Sequence, residues 1–68
     1  MNTDEMKGKW NELKGKVKEK WSKLTDDDIG QVEGNFEELS GRIQKAYGKS
    51  KDEADREVEE FRNRMRAA

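Results

Sequence analysis

Apolar residues recur at intervals of three and four positions along most of this chain, which is the spacing of an α-helix with one buried face. At about 100° per residue, those of the first stretch occupy an arc roughly 80° wide. The pattern predicts a first amphipathic helix, and Asn2 is its predicted N-cap. The residues on the arc are Met6, Trp10, Leu13, Val17, Trp21 and Leu24.

The same pattern occurs a second time. From Gly8 the chain reads GKWNELKGKVKEKWSK, and from Gly34 it reads GNFEELSGRIQKAYGK. We interpret this as an internal duplication of about residues 8–33 and 34–65 within one domain, 1–68. The matched pairs are Gly8 and Gly34, Trp10 and Phe36, Leu13 and Leu39, Gly15 and Gly41, Val17 and Ile43, and Trp21 and Tyr47.

Helix-start signals follow each copy. Thr25 and Asp28 form a predicted capping box, which begins a short second helix over about 26–33. The second copy predicts a helix over about 35–47, with Gly48 closing it in the left-handed conformation. Ser50 and Glu53 form another predicted capping box, which begins a fourth helix.

Each copy is therefore a long helix, a capped turn and a second helix. The predicted fold class is all-α, with two related helical hairpins that bury their apolar arcs against each other. The predicted core consists of Trp10, Leu13, Val17, Trp21, Leu24, Ile29, Val32, Phe36, Leu39, Ile43, Tyr47, Val58 and Phe61.

Composition makes this fold a marginal one. Charged residues form 46% of the chain and hydrophobic residues 29%, which is close to the composition of disordered proteins. The net charge is −1, but the signs are segregated: residues 1–24 are rich in lysine and residues 25–40 carry only acids. Blocks of opposite sign favour pairing between helices.

The chain has no Cys and no His, which removes thiolate and imidazole catalysis and the usual zinc ligands. Consecutive acids at Asp26, Asp27 and Asp28 suit a helix N-terminus better than a calcium loop, which needs ligands at alternate positions. We expect no cofactor, no metal and no enzymatic activity. No apolar run is long enough to form a transmembrane segment.

Several segments together resemble a known family. KGKVKEKWSKLTDDDI, VEG, ELSGRIQKAYG and SKDEADREVEEF are similar to the CsbD-like family of small bacterial general-stress proteins, over nearly the whole chain. The resemblance implies a cytoplasmic protein without an established biochemical activity. It also implies orthogonally packed hairpins, with the outline of SAM-like domains. The arginine-rich segment 62–68 is the least family-like part.

Two surfaces are candidates for binding. Lysines border the apolar arc of the first helix and offer a basic face for nucleic acid, a protein or an anionic membrane surface. Nucleic acid is the less favoured partner, because the net charge is near zero and the Asp26–Asp28 turn repels phosphate. Glycines on the opposite faces are either exposed, or approached by another backbone, or present to weaken the helices. The residues are Lys7, Lys9, Lys14, Lys16, Lys18, Lys20, Gly8, Gly15, Gly34 and Gly41.

The function that these features favour is protection during stress. Abundant glycine and very low hydropathy resemble the composition of hydrophilins, which suits a weakly stable domain that shields destabilised client proteins or membranes. The alternative is a binding module for nucleic acid or protein that uses the lysine-rich face of the first helix.

Overall fold

The computed structural model describes the backbone of residues 3–67 and the side chains of residues 8–66. It contains four helices, α1 (Thr3–Lys20), α2 (Asp26–Val32), α3 (Phe36–Tyr47) and α4 (Lys51–Ala67). The part of the chain so described has no β-strand, which confirms the predicted all-α class. The predicted N-cap Asn2 and the side chains of Met6 and Lys7 lie outside the described residues.

The first helix ends before its apolar arc does. Trp21 and Leu24 follow Lys20, yet they are 2% and 0% exposed. The Trp21 N–H donates to the Val17 carbonyl at 2.8 Å and the Leu24 N–H donates to the Trp21 carbonyl at 3.1 Å. These two bonds continue the helical turn just long enough to direct both side chains into the core.

The second helix is bounded as the sequence indicates at its start. The Asp28 N–H donates to Thr25 Oγ1 at 3.0 Å, and the Thr25 N–H donates to Asp28 Oδ2 at 3.1 Å. Both bonds of a capping box are therefore present, and Thr25 has the extended conformation that an N-cap requires. Ile29 and Val32 form the buried side of this short helix.

The turn after α2 corrects one prediction. Gly34 was expected on an outer helical face, but it lies between α2 and α3 with φ 86°, directly after Glu33 with φ 48°. Two consecutive left-handed residues reverse the chain, and glycine adopts that conformation without steric cost. Asn35 is the N-cap of α3, and its side-chain oxygen accepts hydrogen bonds from the backbone N–H groups of Glu37 and Glu38.

The third helix closes on Gly48, which has φ 65° and donates its N–H to the Gln44 carbonyl. At the start of α4, the Glu53 N–H donates to Ser50 Oγ at 3.2 Å, which is the first of the two bonds of a capping box. A left-handed glycine followed by a serine cap makes the link between the two helices short.

The helices pack unevenly. The most extensive helix contact is between α3 and α4, while α2 contacts both α1 and α3. Leu13, Phe36 and Tyr47 were predicted in the core but are only partly buried, packed against its edge. Ala54 on α4 is fully buried. The buried hydrophobic residues are Trp10, Val17, Trp21, Leu24, Ile29, Val32, Leu39, Ile43, Ala54, Val58 and Phe61. The duplication and the orthogonal, SAM-like packing stay predictions.

Candidate functional site

The lysines of α1 do not form one continuous patch. Lys9, Lys14 and Lys16 are exposed, and they form no ion pair within the described part of the chain. Lys18 instead folds back, so that its Nζ donates to the Leu24 carbonyl at 2.6 Å. The ammonium group of Lys20 lies 5.4 Å from the centre of the Trp21 ring. Only part of the predicted basic face is therefore free to meet a partner.

The helical glycines face open space. A Cβ atom built at Gly8, Gly15 or Gly41 has nothing within 4 Å. Among the residues described, no other backbone approaches these faces, so close packing within the chain does not explain the glycines. Each one at a helix interior costs about 0.8–1 kcal/mol relative to alanine. These glycines therefore lower the stability of α1 and α3.

The aromatic residues hold the domain together. The indole N–H of Trp10 donates to the Ile29 carbonyl at 2.9 Å. That carbonyl belongs to the last turn of α2, where carbonyls lack a partner within the helix. The Trp10 ring also meets the Phe36 ring edge-on, with 6.2 Å between centroids. A buried ring with its N–H occupied cannot stack on a nucleic-acid base.

Arg42 connects α2 to α3. Its guanidinium lies 2.6 Å from Asp28 Oδ1 and 3.0 Å from Glu38 Oε1, and it donates to Gln31 Oε1 at 2.9 Å. The hydrogen bonds from Thr25, and then the contact with Arg42, lower the pKa of Asp28. One side chain therefore joins the capping box of α2 to the first turn of α3.

Two polar side chains attach the end of α1 to the second hairpin. The Trp21 indole N–H donates to Glu57 Oε1 at 3.0 Å, while Glu57 Oε2 binds the ammonium group of Lys49. The Lys49 ion pair, with the Trp21 bond in support, lowers the pKa of Glu57. The backbone N–H of Lys23 donates to the Tyr47 hydroxyl at 3.1 Å.

A third polar group joins α3 to α4. Ser40 is 3% exposed, and its hydroxyl donates to Asp55 Oδ1 at 2.5 Å. Lys51 binds the other carboxylate oxygen of Asp55 at 2.6 Å. The ion pair with Lys51 and then the Ser40 hydrogen bond lower the pKa of Asp55, and the same ion pair raises the pKa of Lys51.

Sequence reasoning missed these networks for a simple reason. Glu38–Arg42 and Lys51–Asp55 have the (i, i+4) spacing of helix ion pairs and could have been found. The bonds from Trp21 to Glu57 and from Arg42 to Asp28 join separate helices, and no spacing rule predicts them. Among the side chains that the structure describes, three carboxylates have shifted pKa values, and all three values are lowered, so these groups stay ionised and bind cations and N–H groups.

Among the side chains described, no group of three or more His, Cys, Asp or Glu residues is placed to hold a metal ion. No helix in the described residues is long and apolar enough to cross a membrane.

The architecture and surface together define a class: a small all-helical domain with a thin apolar core, a highly charged exterior and glycine on its outer helical faces. Within that class, the chain belongs to the CsbD-like family, whose model matches residues 4–56. The matched part includes the two similar segments 8–23 and 34–49 but stops within α4, before the arginine-rich segment 62–68.

Relatives cover almost all of the chain. The UPF0337 protein YjbJ of Escherichia coli (strain K12) is 52% identical over 64 residues, which is 94% of this chain and 93% of the relative. The UPF0337 protein PA4738 of Pseudomonas aeruginosa is 49% identical over 65 residues, which is 96% of this chain and 100% of the relative. The UPF0337 protein pc0632 of Protochlamydia amoebophila is 44% identical over 66 residues, which is 97% of this chain and 100% of the relative. These names state no activity or ligand.

No solved structure gives a significant match. The family places the chain among bacterial general stress-response proteins.

Proposed function

We propose that this protein is a cytoplasmic, non-catalytic protectant, which limits the aggregation of destabilised proteins or damage to membranes during stress. The observation that carries the proposal is the set of outward-facing glycines. Gly8, Gly15 and Gly41 have no atom within 4 Å of an added Cβ, so nothing in the described fold requires glycine there. Alanine at these positions would give a more stable domain. A weakly stable domain can open at low cost and present apolar surface to a client.

The first helix is the element best suited to open. Its helix contact is with α2, whereas its links to the second hairpin run through side chains. Those links, from α1 and the turn after it, are the Trp10–Phe36 and Trp21–Phe61 ring contacts, the bond from Trp21 to Glu57 and the bond from the Lys23 N–H to the Tyr47 hydroxyl. Once they break, an arc that includes Val17 can cover apolar surface on a destabilised client or at an anionic membrane. The lysines of the same helix keep the complex hydrated.

The test compares the protein with a stabilised double variant, Gly15→Ala/Gly41→Ala. Heat aggregation of an unrelated enzyme is followed by light scattering, with Ser22→Ala as a control at an exposed position. Since opening becomes rarer in the double variant, we expect weaker protection at equal concentration, while the control protects normally. Equal protection by all three proteins contradicts the proposal. The same comparison with leakage from anionic vesicles tests the membrane form of protection.

The alternative function is binding of nucleic acid or of an acidic protein. The observation in its favour is that Lys9, Lys14 and Lys16 are exposed on one helix and form no ion pair with a described residue. Three phosphate contacts on duplex DNA predict a slope of about −2.7 in log K against log salt. Measurable affinity with that slope, together with no protection of clients, favours the alternative.

A further inference from the structure

A groove lies between the end of α1 and the end of α4. Its volume is about 310 Å³, which is at the small end of the range for ligand pockets. Its apolar part consists of Phe61, which is 4% exposed, and of the partly buried Met65. The Trp21 ring packs against Phe61, with 5.2 Å between the two ring centroids. The residues that line the groove are Lys16, Glu19, Lys20, Phe61, Arg64 and Met65.

The rim of the groove is cationic. Lys16 and Lys20 come from α1 and Arg64 from α4, and all three side chains are exposed. In the described chain none of them forms an ion pair, and the one other contact of these cations is that of Lys20 with the Trp21 ring, which leaves its charge without a carboxylate partner. Glu19 is the single acid on the rim, so the positive charge is only partly offset. Arg42, Lys49 and Lys51 are instead paired with carboxylates, whereas Lys9 and Lys14 are also unpaired but do not line the groove.

An apolar floor beneath an unpaired cationic rim is complementary to one kind of molecule. We infer that this groove binds a single-chain anionic amphiphile of the fatty-acid type. The alkyl chain lies along Met65, which is the more accessible of the two apolar residues, and the carboxylate lies among Lys16, Lys20 and Arg64. The inference goes beyond the proposed function, because it uses the closed domain and needs no opening of α1.

Other ligands fit the groove less well. A base of a single-stranded nucleic acid needs an exposed aromatic face for stacking, but Phe61 is nearly buried and packs against Trp21. A polyphosphate would bring several charges close to Glu19. A bilayer surface is too broad to enter a groove of this volume. A monoanion with an alkyl chain meets all three constraints.

The test is a titration with decanoate below its micellar concentration, followed by calorimetry and by the NMR signal of the Met65 methyl group. We expect saturable binding, with an affinity that rises from octanoate to decanoate by at most about fourfold per added methylene. Decyltrimethylammonium has a similar chain and the opposite charge, and it should bind much more weakly.

Two matched triple variants distinguish binding in the groove from nonspecific electrostatic attraction to the protein surface. Lys16→Gln/Lys20→Gln/Arg64→Gln removes the rim, whereas Lys9→Gln/Lys14→Gln/Arg56→Gln removes the same charge from exposed positions outside the groove. Each exposed contact contributes about two- to fivefold, so the rim variant should weaken decanoate binding by about tenfold or more. The control variant should weaken it by less than about twofold. Glu19→Gln should strengthen it.

Four outcomes overturn the inference: equal weakening by both triple variants, equal binding of decyltrimethylammonium, no chain-length dependence, or binding to anionic vesicles but not to decanoate. Loss of the far-ultraviolet helical signal in the rim variant would mean misfolding. In that case Glu19→Gln, which leaves the floor intact, decides the question by whether it strengthens binding. The Gly15→Ala/Gly41→Ala variant should bind decanoate normally, so failure of the proposed protective function leaves this result unaffected.

Discussion

Replacing the interior helical glycines should stabilise this protein substantially. Gly15 lies within α1 and Gly41 within α3, and a Cβ atom at either position meets nothing within 4 Å. Neither residue has a positive φ, so alanine fits the existing backbone without strain. At about 0.8–1 kcal/mol for each position, Gly15→Ala/Gly41→Ala should raise the free energy of unfolding by about 1.6–2 kcal/mol.

The size of the domain makes that gain easy to measure. For a chain of 60–100 residues, 1 kcal/mol moves Tm by about 4–8 °C, so the double variant should melt about 6–16 °C higher. Thermal and urea unfolding, followed by circular dichroism and tryptophan fluorescence, give both quantities. The urea slope should stay constant, since the surface exposed on unfolding is unchanged.

A matched control comes from Gly48, where φ is 65°. Alanine there must adopt the left-handed conformation, so Gly48→Ala should lower stability by about 1–2 kcal/mol. If the double variant is no more stable than the natural protein, the two faces are not open in solution. A second molecule that covers them would be the first explanation to test, by sedimentation of both proteins.

Three further predictions concern the polar links. Trp10→Phe should lower the free energy of unfolding by about 2–3 kcal/mol, because it leaves the Ile29 carbonyl without its donor; a loss below 0.5 kcal/mol in urea would contradict that role. Thr25→Ala should cost about 1 kcal/mol by removing the α2 cap, whereas Ser22→Ala in the preceding turn should cost nearly nothing. The pKa values of Asp28, Asp55 and Glu57 are lowered from ordinary values of 3.8, 3.8 and 4.5, so the stability they contribute is complete above about pH 5 and is lost as the pH falls through the lowered values. A melting temperature at pH 3 equal to that at pH 7 would refute this contribution of the three carboxylates. The pKa values of Lys49 and Lys51 are raised from 10.5, so the stability that these lysines contribute persists to at least pH 10.

Local signals in the sequence proved reliable where one helix turn decides the outcome. The capping box of Thr25 and Asp28 depends on residues three positions apart, and it is present in both directions. Gly48 adopts the left-handed conformation for the same kind of local reason. Gly34 was misplaced because its neighbour Glu33, a residue that seldom has a positive φ, also turns left-handed there.

The candidate site could be predicted from the sequence only in part. The lysine face looked continuous when the residues were placed on a regular helix. In the structure, Lys18 donates to the Leu24 carbonyl and Lys20 lies over the Trp21 ring. Both of these partners lie beyond the end of α1. The groove needs Lys16 beside Arg64, and no periodicity relates two residues on helices so far apart in the chain.

The sequence by itself determined the all-helical class, the short capped turns and most of the buried positions, because periodicity and capping act over three or four residues. Tertiary structure alone decided that Trp10 caps α2, that Trp21 binds Glu57 and that a cationic rim surrounds Phe61. It also decided that the helical glycines face open space. Such features depend on how separate helices meet, and that is set by the packing of the whole core.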